Sequence, residues 1–185
     1  GGGPETFELA ARLFNLGQAC GAAGEPEAAL AAGRESLSLI SRLPSEEPQI
    51  AELGLRARHA LCVILGGLLA AGRAQANDPE RAARLEEAGD LVEDGLASLR
   101  DRGELPEGVA AAAARLYEFG AWLYRTQQPR FLGEFLLDHL DEGNARMSIA
   151  AAAVQVARQA MVQRDFSATM VGDMDRMLDL LQDLG

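Results

Sequence analysis

The chain has 185 residues, 17 basic against 28 acidic, and a formal charge of −11. Every basic side chain is Arg and there is no Lys. Schiff-base and Lys-phosphate chemistry are therefore excluded, and an acidic chain without a basic stripe argues against nucleic acid and anionic membranes. Ala (34) and Leu (28) make up about a third of the residues, whereas Val, Ile and Thr together number 14. That mix favours helix over sheet, and 48% apolar residues is too many for a disordered chain. An all-α protein with a real core is expected.

Residues 1–4 read as a linker stub or expression scar, and the opening lacks the basic and apolar regions of a signal peptide. Prolines then punctuate the chain at 4, 26, 44, 48, 79, 106 and 129. Proline is tolerated in the first helical turn but breaks a helix interior, so each marks a helix start or an inter-helix turn. Asp78-Pro79 reads as an N-cap followed by the first helical residue. With further breaks at Gly143-Asn144 and Arg164-Asp165, about eight helices are expected, near 5–23, 27–43, 49–73, 79–102, 107–126, 130–141, 144–163 and 166–184. Apolar residues recur at helical spacing in Leu9, Leu13, Leu16, Cys20, in Leu116, Phe119, Leu123, and in Met170, Met174, Met177, Leu181. Short connections make successive helices antiparallel neighbours, giving four hairpins near 5–43, 49–102, 107–141 and 144–184 in one domain, 5–185.

The longest apolar stretch, Ala60 to Ala71, is short of the ~20 residues that span a bilayer and reads as a buried helix. Cys20 and Cys62 lie in apolar helical stretches of a chain too large to depend on disulfides. A reduced, cytoplasmic protein is expected.

The pattern apolar-x-x-apolar-Gly occurs as Leu13 to Gly17, Cys62 to Gly66 and Leu116 to Gly120, with a degenerate copy from Ala153 to Ala157. The repeat intervals are 49, 54 and 37 residues. A small residue at a fixed place on the first helix of each hairpin lets the second helix approach closely. On these residues the chain resembles the tetratricopeptide repeat family. The best copy, residues 13 to 39, supplies the family's Leu-Gly pair at Leu16-Gly17, the inter-helix Gly at Gly24, the small packing residue at Ala29, and the trailing Leu37 and Leu39. The third copy places Gln127 at the turn and Leu132 at the small position, the fourth has a turn-like segment at 163–170, and the second carries an insertion from Gly72 to Pro79. The intervals exceed the standard period of about 34 residues and resemble the longer-helix repeats of GC-rich bacterial signalling and conflict-system proteins. The resemblance implies a right-handed solenoid of four stacked hairpins; an unrelated Ala/Leu-rich bundle is the alternative.

Residues that could carry chemistry have plainer readings. His59 and Cys62 are three apart on one helix and could face a metal together, but no second ligand pair accompanies them. His139 has Asp138 and Asp141 beside it and no marked nucleophile, so it reads as a solvated histidine. Gly66, Gly67 and Gly72 follow no strand and no Lys completes a phosphate loop. Asp173 and Asp175 are two apart on a helix and point to different faces. No enzyme activity, metal or cofactor is expected.

The resemblance instead implies a protein- or peptide-binding groove lined by the first helices. Its positions here are Phe14 and Gln18; Val63 and Gly67; Tyr117, Ala121, Tyr124 and Arg125; and Arg158 and Val162. Aromatics beside Arg are enriched at such surfaces, although Phe14 and Tyr117 could equally pack between hairpins. The clamp that grips a C-terminal carboxylate in the family's chaperone-tail binders is absent, because the corresponding positions hold Phe14, Gln18, Ile64, Ala114 and Glu118. The last helix, with its Met face and Asp173, Asp175, Asp179 and Asp183, reads as a polar-faced cap or as a docking surface for a partner helix or a second copy. The expected role is a non-enzymatic interaction scaffold in a bacterial regulatory or defence system, alone, self-associated or within a longer chain. The alternatives are a dedicated chaperone for a secreted or aggregation-prone partner and a helical-bundle ligand sensor or enzyme.

Overall fold

A computed structural model describes residues 3–71, 78–100, 102–128 and 131–139, with isolated positions 172 and 175. Among the described residues there are six helices and no strand: α1 Pro4–Ala22, α2 Pro26–Ile40, α3 Pro48–Ala71, α4 Pro79–Ala97, α5 Glu107–Gln127 and α6 Leu132–Asp138. The expected helices near 144–163 and 166–184 lie outside the described residues. Two compact units divide the chain, Gly1–Phe119 and Gly120–Gly185, with the division falling inside α5.

Proline places the helix starts. Pro4, Pro26, Pro48 and Pro79 are the first residues of α1 to α4, where a missing N–H costs nothing and a fixed φ suits the helix. The Asp78 carboxylate accepts from the Glu80 N–H at 3.0 Å and caps α4. Between α1 and α2, Gly24 takes φ +77°, and the Glu25 N–H reaches back to the Cys20 carbonyl at 2.9 Å.

Three helices are shorter than their spacing suggests. α2, expected to 43, ends at Ile40, and α4, expected to 102, ends at Ala97. In both, the chain tightens into i to i+3 bonds, Leu43 N–H to Ile40 O at 2.9 Å and Leu99 N–H to Leu96 O at 3.1 Å. After α4, Ser98 Oγ donates to the Gly95 carbonyl at 2.7 Å and Arg102 Nε to the Ser98 carbonyl at 2.8 Å. Side chains thus satisfy carbonyls that further helical turns would have used. α6, expected over 130–141, covers Leu132–Asp138.

In the first unit, contacts at both ends of each pair fix the direction of the helices. Ser36 Oγ donates to the Ala10 carbonyl at 2.8 Å near one end of α1 and α2, and Gly21 lies against Ala29 at the other. Gly54 faces Ile40 and Gly33 faces Leu61, so α2 and α3 are also antiparallel. Arg58 lies on Gly95 and the Cys62 thiol donates to the Ala88 carbonyl at 3.8 Å, which makes α3 and α4 antiparallel. It follows that α1 and α3 run in the same sense, touching through Phe14 with Arg56 and Gly21 with Ile64. α2 and α4 likewise run together, joined by Arg34 to Glu87 through two 2.7 Å bonds and by Arg84 to Glu27 at 3.4 Å. The start of α5 packs on α4 through Leu116 against Gly95.

Close approach explains the repeated small residue. A Cβ on Gly17 would stand 3.2 Å from the Ala29 carbonyl oxygen and 3.5 Å from the Gly33 nitrogen, so the α1 backbone rests almost directly on that of α2. Gly66 and Gly120 are buried as well. Ala10, Phe14, Ile40, Leu43, Ile50, Leu53 and Ala57 form a core where α1, the end of α2 and the start of α3 meet.

Equivalent apolar positions differ in exposure between copies. Leu16 is 53% exposed, while Leu65, 49 residues later, is fully buried. The reason is neighbourhood, because α3 lies between α2 and α4 whereas α1 has only α2 of the two second helices described before α5. α1 correspondingly carries Glu5, Glu8 and Arg12 where α3 carries Gly54, Ala57 and Leu61. Its outer edge is polar where that of α3 is packed.

α3 has 24 residues and a window of mean hydropathy 1.4, long and apolar enough by those measures to cross a membrane. Half of that window is buried within the fold, and Arg56 and Arg58 lie in the same helix. In the second unit the end of α5 packs on α6, with Leu123, Leu132, Phe135 and Leu136 buried and Tyr124 stacked on Phe135 at 4.8 Å between ring centroids.

Candidate binding surface

The expected groove residues fall into four groups. Gln18 of α1 and Val63 and Gly67 of α3 are exposed, Val63 by 52%, and nothing stands within 4 Å of where a Gly67 Cβ would be. They flank the Gly21–Ile64 contact, with Gln18 about one turn before Gly21 and Val63 and Gly67 beside Ile64. The parallel pair of first helices thereby leaves these three positions open beside their contact.

Phe14 does not belong with them. It is 6% exposed and sits in the core, on the α1 face shared by Ala10 and Gly17, with the Arg56 guanidinium 5.3 Å above its ring. Of the two readings its spacing allowed, packing between hairpins is the one realised. The contribution of Arg56 was not legible, because residues 42 apart meet only after α1 and α3 align.

Tyr117 is half-buried, and burial pushes its hydroxyl up to about 12. Further along α5, in the second unit, Ala121 and Tyr124 are half-buried and Arg125 is exposed. Tyr124 spends one ring face on Phe135, which in turn lies 5.0 Å from the His139 ring. Arg158 and Val162 lie outside the described residues. Of the clamp positions, Ile64 is half-buried and Ala114 and Glu118 are exposed.

His59 and Cys62 occupy different surroundings despite their spacing. His59 is half-buried, and burial, with Arg115 adding to it, holds its pKa below the ordinary histidine value against the opposing pull of Glu118. Cys62 is fully buried, and burial pushes its thiol up to about 12. Among the described residues no group of three or more His, Cys, Asp or Glu is placed to hold a metal.

The buried thiol leads to a measurable contrast. In the folded chain Cys62 holds its proton up to pH about 12, while the unfolded thiol loses it from about 9. Its contribution to stability is complete below pH 9 and is lost as the pH rises from 9 towards 12, because the unfolded state then binds fewer protons. Alkylation at pH 8 should modify the half-buried Cys20 in the native protein and reach Cys62 only on unfolding. Mass mapping of modified peptides with and without denaturant checks this; equal native rates at both thiols would refute it.

No family model, curated protein or solved structure matches the chain.

Proposed function

We propose that the chain is a non-enzymatic helical-repeat scaffold, a right-handed solenoid of the tetratricopeptide kind, that binds a protein or peptide segment along its first helices. The observation that carries this reading is the parallel pairing of α1 with α3, which leaves Gln18, Val63 and Gly67 exposed around the Gly21–Ile64 contact. An exposed valine beside an open glycine gives an extended peptide room to lie close to the helix backbone, and Gln18 can hydrogen-bond its amides. Alternation of helix direction from α1 to α4 supports the array. The setting proposed is a bacterial cytoplasmic regulatory or defence system.

Tyr124 is a poor test position because its loss would loosen α5 against α6. Val63→Arg with Gln18→Arg alters only exposed side chains and should preserve the helical circular dichroism and melting temperature. Affinity capture from the native host with the two proteins as bait should lose the specific partners of the unaltered chain. An unchanged partner set would remove the first-helix surface from consideration.

A further inference from the structure

The opposite side of the first unit carries a second concave feature. α2 and α4 run side by side, and between them a cavity of about 370 Å³ is lined by Leu37, Arg58, Ala83, Leu91 and a row of carboxylates. Ala83, Leu37 and Leu91 provide apolar surface from two helices. Glu86, Asp90 and Asp94 are four apart along α4 and therefore form one stripe, about 12 Å long, on the wall of this cavity.

Charge pairing is uneven along this seam. Arg34 neutralises Glu87 and Arg84 bridges Glu27 to Glu80, so the two helices are already fastened to each other. Among the described residues neither Glu86 nor Asp90 forms a salt bridge. Asp94 feels the half-buried Arg58 electrostatically but makes no salt bridge with it. The pocket thus joins an apolar floor to a stripe whose negative charge exceeds that of its single guanidinium.

We propose that the α2–α4 groove docks a basic amphipathic helix of a partner protein, its apolar residues on Leu37, Ala83 and Leu91 and its Lys or Arg side chains opposite Glu86, Asp90 and Asp94. The inference rests on the scaffold reading but places a second partner surface on the second helices, away from Gln18 and Val63. Helical periodicity supplies the match, because cations at i, i+4 and i+8 of the ligand repeat at the spacing of the carboxylate stripe. Acidic side chains at those ligand positions would meet unpaired like charges and be rejected.

The probe is a fluorescein-labelled helical peptide of about 15 residues with Lys at every fourth position and Leu beside each. Its anisotropy is titrated at about 0.15 M salt, where the reach of general surface charge is cut to about 8 Å. Saturable binding is expected, and Glu86→Gln, Asp90→Asn and Asp94→Asn together should weaken it at least tenfold. Ala83→Trp fills the cavity without changing charge and should weaken it similarly. A control with Glu5→Gln, Glu46→Gln and Glu47→Gln removes the same charge elsewhere and should leave affinity within twofold. Equal losses in the two triple variants, or no binding at all, would overturn the groove. Val63→Arg should not affect this titration, so failure here and failure of the first-helix reading are told apart. Circular dichroism verifies that each variant is folded, and the surface triple variant decides the question should Ala83→Trp unfold.

Discussion

Replacing Gly17 with Leu is expected to destabilise the fold by about 3 kcal/mol, read as a fall in denaturant midpoint with unchanged slope. Removing a glycine from a helix interior ordinarily gains about 1 kcal/mol, so a loss here would run against helix propensity. The opposing effect is steric. A Cβ at this position already meets the Ala29 carbonyl oxygen at 3.2 Å, and both nearest atoms belong to the α2 backbone. A backbone cannot turn aside as a side chain can, so α2 must move away from α1. That movement would also stretch the bond from Ser36 to the Ala10 carbonyl, leaving a fully buried hydroxyl unsatisfied. Gly17→Ala should fall between, with propensity and the tight contact nearly offsetting. A Leu variant as stable as the native chain would show that the helices do not rest on each other at Gly17.

Leu61→Ala should cost about 3 kcal/mol, since Leu61 is 1% exposed and its removal leaves a cavity where α2 and α3 meet. Its partner is Gly33, where a Cβ would lie 2.7 Å from Leu61 Cδ2 and 3.1 Å from Cγ. Gly33→Ala alone should therefore destabilise by about 1 kcal/mol, overpacking outweighing the gain in propensity. In the double variant the new methyl enters space vacated by Leu61, and its propensity gain is no longer opposed. Gly33→Ala with Leu61→Ala should be more stable than Leu61→Ala by about 1 kcal/mol, a reversal of sign for the Gly33 substitution. Chemical denaturation of the four proteins closes this cycle. Additive losses would mean that Gly33 and Leu61 do not meet.

The motif around Gly17 illustrates how far the candidate surfaces are legible in the sequence. Gly17 stands out by repetition, and its burial follows from the need of paired helices to approach. Phe14 stands in the same motif at a position the family resemblance assigns to a groove, yet it is enclosed by Ile40, Leu53 and their neighbours. Nothing local distinguishes an aromatic facing a ligand from one facing the next helix. Val63, 49 residues later, is 52% exposed at the equivalent place. The α2–α4 groove is not legible in the sequence for a related reason: Glu86, Asp90 and Asp94 lie four apart on one helix, but Leu37 and Arg58 come beside them only once the helices pack.

Helix, its starting points and the apolar-to-small pattern were determined by the sequence itself, because they depend on interactions spanning a few residues. Proline sets φ locally, Asp78 reaches an N–H two residues away, and Ala and Leu favour helix wherever they lie. The burial of Phe14 and the exposure of Leu16 were decided by tertiary structure. Those outcomes turn on which helix lies alongside, and contacts between residues tens of positions apart exist only once the hairpins have packed.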